Sequence, residues 1–194
     1  MDFENELIPG VLIKRYKRFF ADIKLKNKII TAHCPNSGSM LNLLEKGNPV
    51  WITKSNNEKR KLLYTLQIIE VKKIKFCVNT HITNKIVKES LENKQLTELR
   101  EYSLIRPEKK FGNNTRFDFL LYNSKKDKKA FLEVKSVTLS RKEGHAEFPD
   151  SVTSRGKKHL ENLMIANNQG YESYMIFLVQ IENCQSFGIA SDID

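Results

Sequence analysis

The chain has 194 residues, of which 40% are hydrophobic, and its formal net charge is +10. This composition predicts a folded soluble protein of one large or two small domains and argues against an intrinsically disordered chain. The apolar runs, such as Met175 to Val179, are too short to cross a membrane, and the acidic N-terminus is not typical of an export signal. Three widely spaced cysteines suggest neither a zinc site nor a disulfide framework, so we expect a reducing, cytoplasmic location.

The excess of lysine and arginine predicts an anionic partner, and nucleic acid is the first candidate. The chain is also rich in Lys, Asn and Ile, as products of AT-rich genomes tend to be, so part of the charge can reflect codon usage. The positions of the basic residues are therefore more informative than their number.

Short strand-like runs, separated by turns that contain proline and glycine, fill the first 80 residues. About five such strands in roughly 70 residues predict a small β-barrel, and for a basic sequence the OB-fold is the natural candidate. The predicted strands are Val11 to Leu25, Ile29 to Cys34, Val50 to Ser55, Leu62 to Val71, and Phe76 to Thr80.

Basic and aromatic residues are interleaved in the first predicted strand. The segment consists of Lys14, Arg15, Tyr16, Lys17, Arg18, Phe19 and Phe20. In an extended strand the even-numbered Lys14, Tyr16 and Arg18 would share one face, and the odd-numbered Arg15, Lys17 and Phe19 the other. Such a face can form an electrostatic groove with a stacking ring for nucleic acid. An edge strand protected by its lysines has the same pattern, so both interpretations stay open.

After Thr83 the pattern changes to a mixture of helices and strands. Thr83 is predicted to cap a helix over Asn84 to about Asn93, with Ile86, Val87 and Leu91 on its apolar side. The sequence is therefore divided into two domains, residues 1–82 and residues 83–194.

A second helix is predicted from about Thr153 to Asn167, with Leu160, Leu163 and Met164 at core spacing. A buried strand, residues 174–180, follows it. The order helix, hairpin, helix, strand is typical of an α/β domain.

Two apolar runs between these helices predict a β-hairpin. The runs are residues 117–121 and 131–137, and a polar connector of residues 122–129 joins them. The first run contains Asp118, and the second contains Glu133 and Lys135. Because alternate residues of a strand point to the same face, Glu133 and Lys135 can lie together beside Asp118.

Two carboxylates and a lysine on neighbouring strands can hold a divalent ion and activate water against a phosphodiester. Carboxylates are hard oxygen ligands and suit Mg²⁺ or Mn²⁺ better than zinc, and the lysine can neutralise developing charge. This is the D…ExK pattern of the PD-(D/E)XK nucleases. The alternative is an exposed pair of Glu133 and Lys135 worth about 0–1 kcal/mol. Phe117 and Phe119 beside Asp118 argue against a freely solvated strand.

The second helix carries Arg155, Lys158 and His159, whose spacing of i, i+3 and i+4 places them on one face. This face can grip a phosphate. It can equally be a solvated basic face with a histidine that has no function.

Seven segments, in order along nearly the whole chain, form a specific pattern when they are taken together. They are Thr31 to Met40, Lys59 to Leu62, Val78 to Thr80, Arg116 to Leu121, Glu133 to Leu139, Phe148 to Thr153, and Arg155 to Leu160. With these segments the chain resembles the sugar fermentation stimulation protein A family of bacteria and archaea. The resemblance implies an OB-fold barrel followed by a PD-(D/E)XK, restriction-endonuclease-like α/β domain. Members of the family usually continue for a further strand and helix beyond the last residue of this chain.

The resemblance also implies site residues. Asp118, Glu133 and Lys135 match the nuclease core, Glu89 matches the acid on the preceding helix, and His159 with Arg155 matches the basic helix. It implies DNA binding without marked sequence preference and a regulatory link to maltose and sugar metabolism. The candidate DNA contacts are Lys14, Arg15, Lys17, Arg18, Arg116, Arg155, Lys158 and His159.

Two classes of function remain open from the sequence. The first is an endonuclease that depends on Mg²⁺ or Mn²⁺ and captures DNA with its OB-fold. The second is a non-catalytic DNA-binding regulator of sugar metabolism genes on a nuclease scaffold. The sequence leaves open whether the protein forms a homodimer, and it predicts no membrane partner.

Overall fold

A computed structural model describes residues 1–112 and 115–194. The chain forms two compact units, and each contains more than one stretch of sequence. The first unit comprises residues 1–81, 136–152 and 179–194, and the second comprises 82–135 and 153–178. The change of unit after His81 lies beside the predicted boundary at residue 82. Segments 136–152 and 179–194 were assigned from sequence to the second domain, but they belong to the first unit. Their position depends on pairing with residues that are distant in sequence, which local patterns do not reveal.

Six strands form the sheet of the first unit. They are β1 (Ile8–Tyr16), β2 (Phe20–Leu25), β3 (Lys28–His33), β4 (Pro49–Lys54), β5 (Tyr64–Val71) and β6 (Ile74–Cys77). Their order is β3-β2-β1-β4-β5-β6, and a parallel pairing of β3 with β5 closes the first five strands into a barrel. Leu12, Ile23 and Ile52 are fully buried. The predicted small OB-like barrel is confirmed.

The first predicted strand, Val11 to Leu25, is wrong as a single run. It is a hairpin in which Tyr16 of β1 pairs with Phe20 of β2. Lys17 and Arg18 form the turn with positive φ values of 47° and 61°. A chain that reverses here does not continue the alternation of a strand. The prediction that Arg18 shares a strand face with Lys14 and Tyr16 is therefore also wrong. The same holds for the predicted face of Arg15, Lys17 and Phe19.

The remaining elements follow in chain order. They are α1 (Thr83–Glu92), β7 (Leu104–Phe111), β8 (Thr115–Asn123), β9 (Lys128–Val137), β10 (Leu139–Lys142), β11 (His145–Phe148), α2 (Ser154–Asn168), β12 (Glu172–Val179) and β13 (Ser186–Ile189). One sheet has the order β12-β9-β8-β7, and a small sheet has the order β10-β11-β13. The α/β prediction is confirmed, whereas the small sheet was not predicted.

The predicted hairpin is formed by β8 and β9, with Phe119 opposite Leu132. Each α-helix contributes to its own hydrophobic cluster with residues of this hairpin. Val87 of α1 belongs to the cluster of Phe119 and Leu132, and Leu163 of α2 belongs to the cluster that contains Phe131. The hairpin is thus held by packing that involves both helices.

Both predicted helices exist, with corrections at their ends and faces. Thr83 is the first residue of α1 and not its cap, since Ile82 occupies the N-cap position. Thr153 caps α2 by accepting a hydrogen bond from the Gly156 amide at 3.0 Å.

The apolar face predicted for α2 is wrong in part. Leu160 and Met164 are 51% and 67% exposed, whereas Leu163 is buried with its helix neighbours His159 and Ala166. The buried residues have the spacing i, i+4 and i+7. Leu160 and Met164 each follow a buried residue by one position, so each lies about 100° around the helix from the buried face. Among the described residues, no helix is long and apolar enough to span a membrane.

Candidate active site

Asp118 is fixed by two hydrogen bonds on the hairpin. The backbone amide of Val134 in β9 donates to one carboxylate oxygen at 2.7 Å. The side-chain amide of Asn84 in α1 donates to the other at 2.7 Å. The carboxylate is therefore oriented by the facing strand and by the first turn of the helix.

Glu133 is 3% exposed and forms the centre of a buried charge cluster. Lys135 Nζ donates to Glu133 Oε1 at 2.7 Å, and His159 Nδ1 hydrogen-bonds with the same oxygen. Lys135 Nζ also lies 3.3 Å from His159 Nδ1. The other oxygen, Oε2, is buried and has no hydrogen-bond partner within residues 1–112 and 115–194.

The two acids influence each other electrostatically. Burial raises the pKa of Asp118, and the negative charge of Glu133 raises it further. The hydrogen bonds from Val134 and Asn84 and the charge of Lys135 oppose this rise in the pKa. A cation beside the two carboxylates would lower the pKa and favour the ionised form.

The residues present fit a hard divalent cation. A buried carboxylate oxygen without a partner is costly, and a cation can supply the missing interaction. Asp118 and Glu133 are the side chains that would hold it. In the described part of the chain, no three His, Cys, Asp or Glu side chains gather as a ligand cluster. The chemistry suits Mg²⁺, which usually keeps several waters and takes only one or two carboxylates.

Sequence reasoning missed two features of this cluster. Asn84 was regarded only as part of a helix, although it orients Asp118. His159 was predicted to contact phosphate, but it is 7% exposed and bonds with Glu133. That prediction is corrected, because a buried ring cannot present itself to a nucleic acid backbone. Glu89 lies half-buried in α1, and its part in the site stays a prediction.

The basic residues of the barrel fall into two groups. Lys14, Lys17 and Arg18 are exposed, as a contact surface requires. Arg15 is instead half-buried, and its guanidinium donates to the carbonyl oxygens of Asn36 at 2.7 Å and Gly38 at 3.0 Å. Its role in DNA contact stays a prediction, and these bonds to the backbone also make it a support for the loop.

The remaining basic candidates lie in the second unit. Arg116 is exposed and forms an ion pair with Glu108 at 3.2 Å. Arg155 and Lys158 are exposed on α2, and Arg155 Nε lies 3.5 Å from His159 Nε2. Of the three residues predicted to share a basic face of α2, only Arg155 and Lys158 are exposed and can form that face.

A five-stranded OB-like barrel followed by an α/β domain with paired acids on its hairpin defines the class of this protein. The chain belongs to the sugar fermentation stimulation protein family. Residues 81–194 match the Sugar fermentation stimulation protein RE domain, and residues 13–79 match the SfsA N-terminal OB domain. The resemblance stated from sequence is confirmed.

Similar proteins share most of their length with this chain. A sugar fermentation stimulation protein homolog of Pelagibacter ubique is 54% identical over 194 residues, which cover 100% of this chain and 83% of the relative. The homolog of Ruegeria sp. (strain TM1040) is 46% identical over 196 residues, which cover 100% of this chain and 84% of the relative. The structure of Pyrococcus furiosus SfsA in complex with Ca²⁺ has a TM-score of 0.89 at 25% identity, covering 100% of this chain and 81% of that one.

Proposed function

We propose that this protein is a nuclease that depends on Mg²⁺ or Mn²⁺ and cleaves DNA without marked sequence preference. The observation that carries the proposal is the pair of the half-buried Asp118 and the buried Glu133, in which one Glu133 oxygen has no partner among the described residues. Lys135 completes the D…ExK pattern beside this pair. The proposal rests on these residues and their surroundings.

The roles of the residues follow from their contacts. A divalent ion held by Asp118 and Glu133 would supply Lewis acid chemistry for the activation of water and the stabilisation of charge on phosphate. Val134 and Asn84 hold the Asp118 carboxylate in one orientation. Lys135 places a positive charge beside Glu133, where it can neutralise charge that develops on the phosphate.

Two observations support the choice of metal and substrate. Pyrococcus furiosus SfsA, which shares the fold, was crystallised with Ca²⁺, and Ca²⁺ and Mg²⁺ both bind oxygen ligands. The formal charge of +10 and the exposed Lys14, Lys17 and Arg18 favour a polyanion. Such contacts with phosphates carry no sequence information, so we expect little discrimination among duplexes.

The proposal is tested by nicking of supercoiled plasmid with pure protein. Wild-type protein should nick in Mg²⁺ or Mn²⁺ and not in EDTA, and Asp118→Ala should abolish nicking while it still binds DNA. The Glu161→Gln variant, which changes an exposed acid on α2, controls for the loss of one negative charge. Nicking that is equal in wild type and Asp118→Ala would refute the proposed site.

A second candidate is a DNA-binding regulator of sugar metabolism genes without catalysis. It is favoured by one observation: Glu133 Oε1 already bonds with Lys135 and His159, so the cluster is partly neutralised without a metal. Salt-sensitive DNA binding without nicking in any divalent metal would select this candidate. Both candidates share the contact surface for DNA.

A further inference from the structure

Two histidines of the barrel unit form a close pair. His33, the last residue of β3, is half-buried, and His81, four residues after β6, is exposed. Their ring centroids are 5.8 Å apart, with an angle of 45° between the planes. Arg60 is exposed in the loop between β4 and β5 and is close enough for its charge to act on His33. Three basic groups from separate segments therefore meet on one surface.

Hydrogen bonds hold the segments of the pair together. Thr80 binds the carbonyl oxygen of Pro35 through both its hydroxyl, at 2.5 Å, and its amide, at 3.3 Å. This contact links the residue before His81 to the second residue after His33.

A buried polar chain fixes the other side of the His81 backbone. The His81 amide donates to the side chain of Asn79 at 3.0 Å, and Asn79 donates to Gln67 at 2.7 Å. Gln67 in turn donates to the Thr53 hydroxyl at 2.8 Å. Asn79, Gln67 and Thr53 are all buried. Buried polar chains of this kind specify one geometry when every member is bonded, so the histidine pair has a built support.

The groups around His33 all disfavour its protonation. Burial lowers the pKa of His33, and the charges of His81 and Arg60 lower it further. In the part of the chain that the structure describes, no carboxylate is among the groups that shift this pKa. Like charges that are brought together cost free energy unless an opposite charge joins them. An anion would relieve this repulsion.

We propose that His33, His81 and Arg60 form a phosphate-binding site for the DNA backbone, and that the His33 imidazole takes up a proton when the phosphate is bound. The inference rests on the DNA binding of the proposed function and adds a site that none of its predicted contacts includes. A metal ion held by two imidazoles is disfavoured, since the fixed charge of Arg60 repels a cation. Phosphate is attracted by all three groups, and a protonated histidine donates from both ring nitrogens.

The test is the affinity for a labelled duplex, measured by fluorescence anisotropy in EDTA at constant ionic strength. Because uptake of a proton by His33 strengthens binding at lower pH, wild type should bind about tenfold tighter at about pH 6 than at about pH 8. The double variant His33→Gln/His81→Gln should lose this difference. His145→Gln, at a histidine of β11 outside the pair, should keep it.

A second variant makes the test independent of the histidines. Arg60→Gln removes a cation that does not titrate in this range, so it should weaken binding at both pH values. Circular dichroism of each variant establishes that it is folded.

The outcomes separate this inference from the proposed function. Wild-type protein that binds no DNA at low salt would overturn both. Binding that is equal at the two pH values, or a pH dependence that survives in the folded double variant, would overturn the site and leave DNA binding intact. If wild type and the folded double variant bind the duplex equally at about pH 6, while about 1 mM inorganic phosphate binds wild type only, the site belongs to a free anion and the DNA assignment is overturned. Zn²⁺ binding that is lost in the double variant would overturn it in favour of a metal.

Discussion

The hairpin and the barrel arrange their charged groups in opposite ways. On the hairpin, Asp118, Glu133 and Lys135 carry both signs of charge and are largely buried, so they interact with each other. On the barrel, His33, His81 and Arg60 bring together only basic groups, and the groups around His33 disfavour its protonation. A mixed buried cluster holds a defined geometry for chemistry, whereas a cluster of like charges on a surface is stabilised by a ligand of opposite charge.

This comparison predicts that changes to the two regions have different readouts. Neutralising a hairpin carboxylate should remove catalysis and leave binding, because no exposed contact is lost. Neutralising a barrel cation should weaken DNA binding and leave the cleavage rate of bound DNA unchanged.

The largest effect is expected from Glu133→Gln. Loss of a metal-binding carboxylate should lower the cleavage rate by about 10³-fold or more. Binding to a duplex in EDTA should be unchanged or tighter, because a negative charge near the phosphate is removed. Glu161→Gln is the matched control for the change from acid to amide. A parallel loss of binding and cleavage would break the distinction between the two regions.

A smaller loss of catalysis is expected from Lys135→Met. The ammonium group donates to Glu133 at 2.7 Å, and its removal should lower the rate by about 10²-fold while affinity for DNA stays within about twofold. Lys129→Met, at an exposed lysine of the same strand, should cleave at the wild-type rate. Single-turnover cleavage with saturating protein measures the two variants. A wild-type rate for Lys135→Met would remove the lysine from the mechanism.

Arg15→Gln should change stability more than binding. The guanidinium bonds to the carbonyls of Asn36, Gly38 and Arg18, and the loss of such charged hydrogen bonds should lower the free energy of unfolding by about 2 kcal/mol. Urea unfolding measures this change. If the variant is as stable as wild type and binds DNA weakly, Arg15 is a phosphate contact after all.

Charge reversal in the barrel turn should weaken binding. The double variant Lys17→Glu/Arg18→Glu should lower affinity about tenfold for all duplex sequences alike and reduce the salt slope by about two units. The double variant Lys26→Glu/Lys28→Glu is a matched control, since it makes the same change in net charge at two exposed lysines of the same barrel. An equal loss of affinity in this control would show that net charge, and not the turn of Lys17 and Arg18, governs binding.

The smallest effect is expected from a charged network away from both clusters. Glu172 accepts hydrogen bonds from Lys128, Tyr102 and Tyr174, and these lower its pKa to about 2. A carboxyl group with a lowered pKa stabilises the fold above its unfolded pKa, and this contribution disappears as the pH falls towards about 2. Because the side chain is 35% exposed, Glu172→Gln should cost only about 1–2 kcal/mol near neutral pH.

The measurement is thermal or urea unfolding of Glu172→Gln and wild type at several pH values. The difference between them should shrink on acidification, since both carry an uncharged group below the pKa. A difference that does not depend on pH would mean that packing, and not the ionised carboxylate, is responsible.

Local patterns were sufficient to predict the hairpin and its charged residues. Two short apolar runs around Asp118 and Glu133, joined by a polar connector, predicted both strands, and the spacing of two between Glu133 and Lys135 predicted that these side chains share a face. The barrel followed from the number of short strands. The hairpin depends on residues that are near one another in sequence, whereas the pairing of β3 with β5 that closes the barrel is long-range.

The errors arose where the outcome depends on distant residues or on a turn. The reversal at Lys17 and Arg18 lacks the glycine or asparagine that usually marks such a turn. His159 shares the basic spacing of its helix, but its burial depends on Glu133, 26 residues away. The role of Arg15 depends on carbonyl groups of a loop more than 20 residues later.

Calorimetric titration with Mn²⁺ measures whether Asp118 and Glu133 bind a divalent metal. We predict that wild-type protein without DNA binds one ion and that Glu133→Gln binds it at least about tenfold more weakly, because a carboxylate ligand is lost. The exposed-acid variant Glu161→Gln should match wild type. Equal Mn²⁺ affinity in wild type and Glu133→Gln, or no binding to folded wild-type protein, would contradict the account.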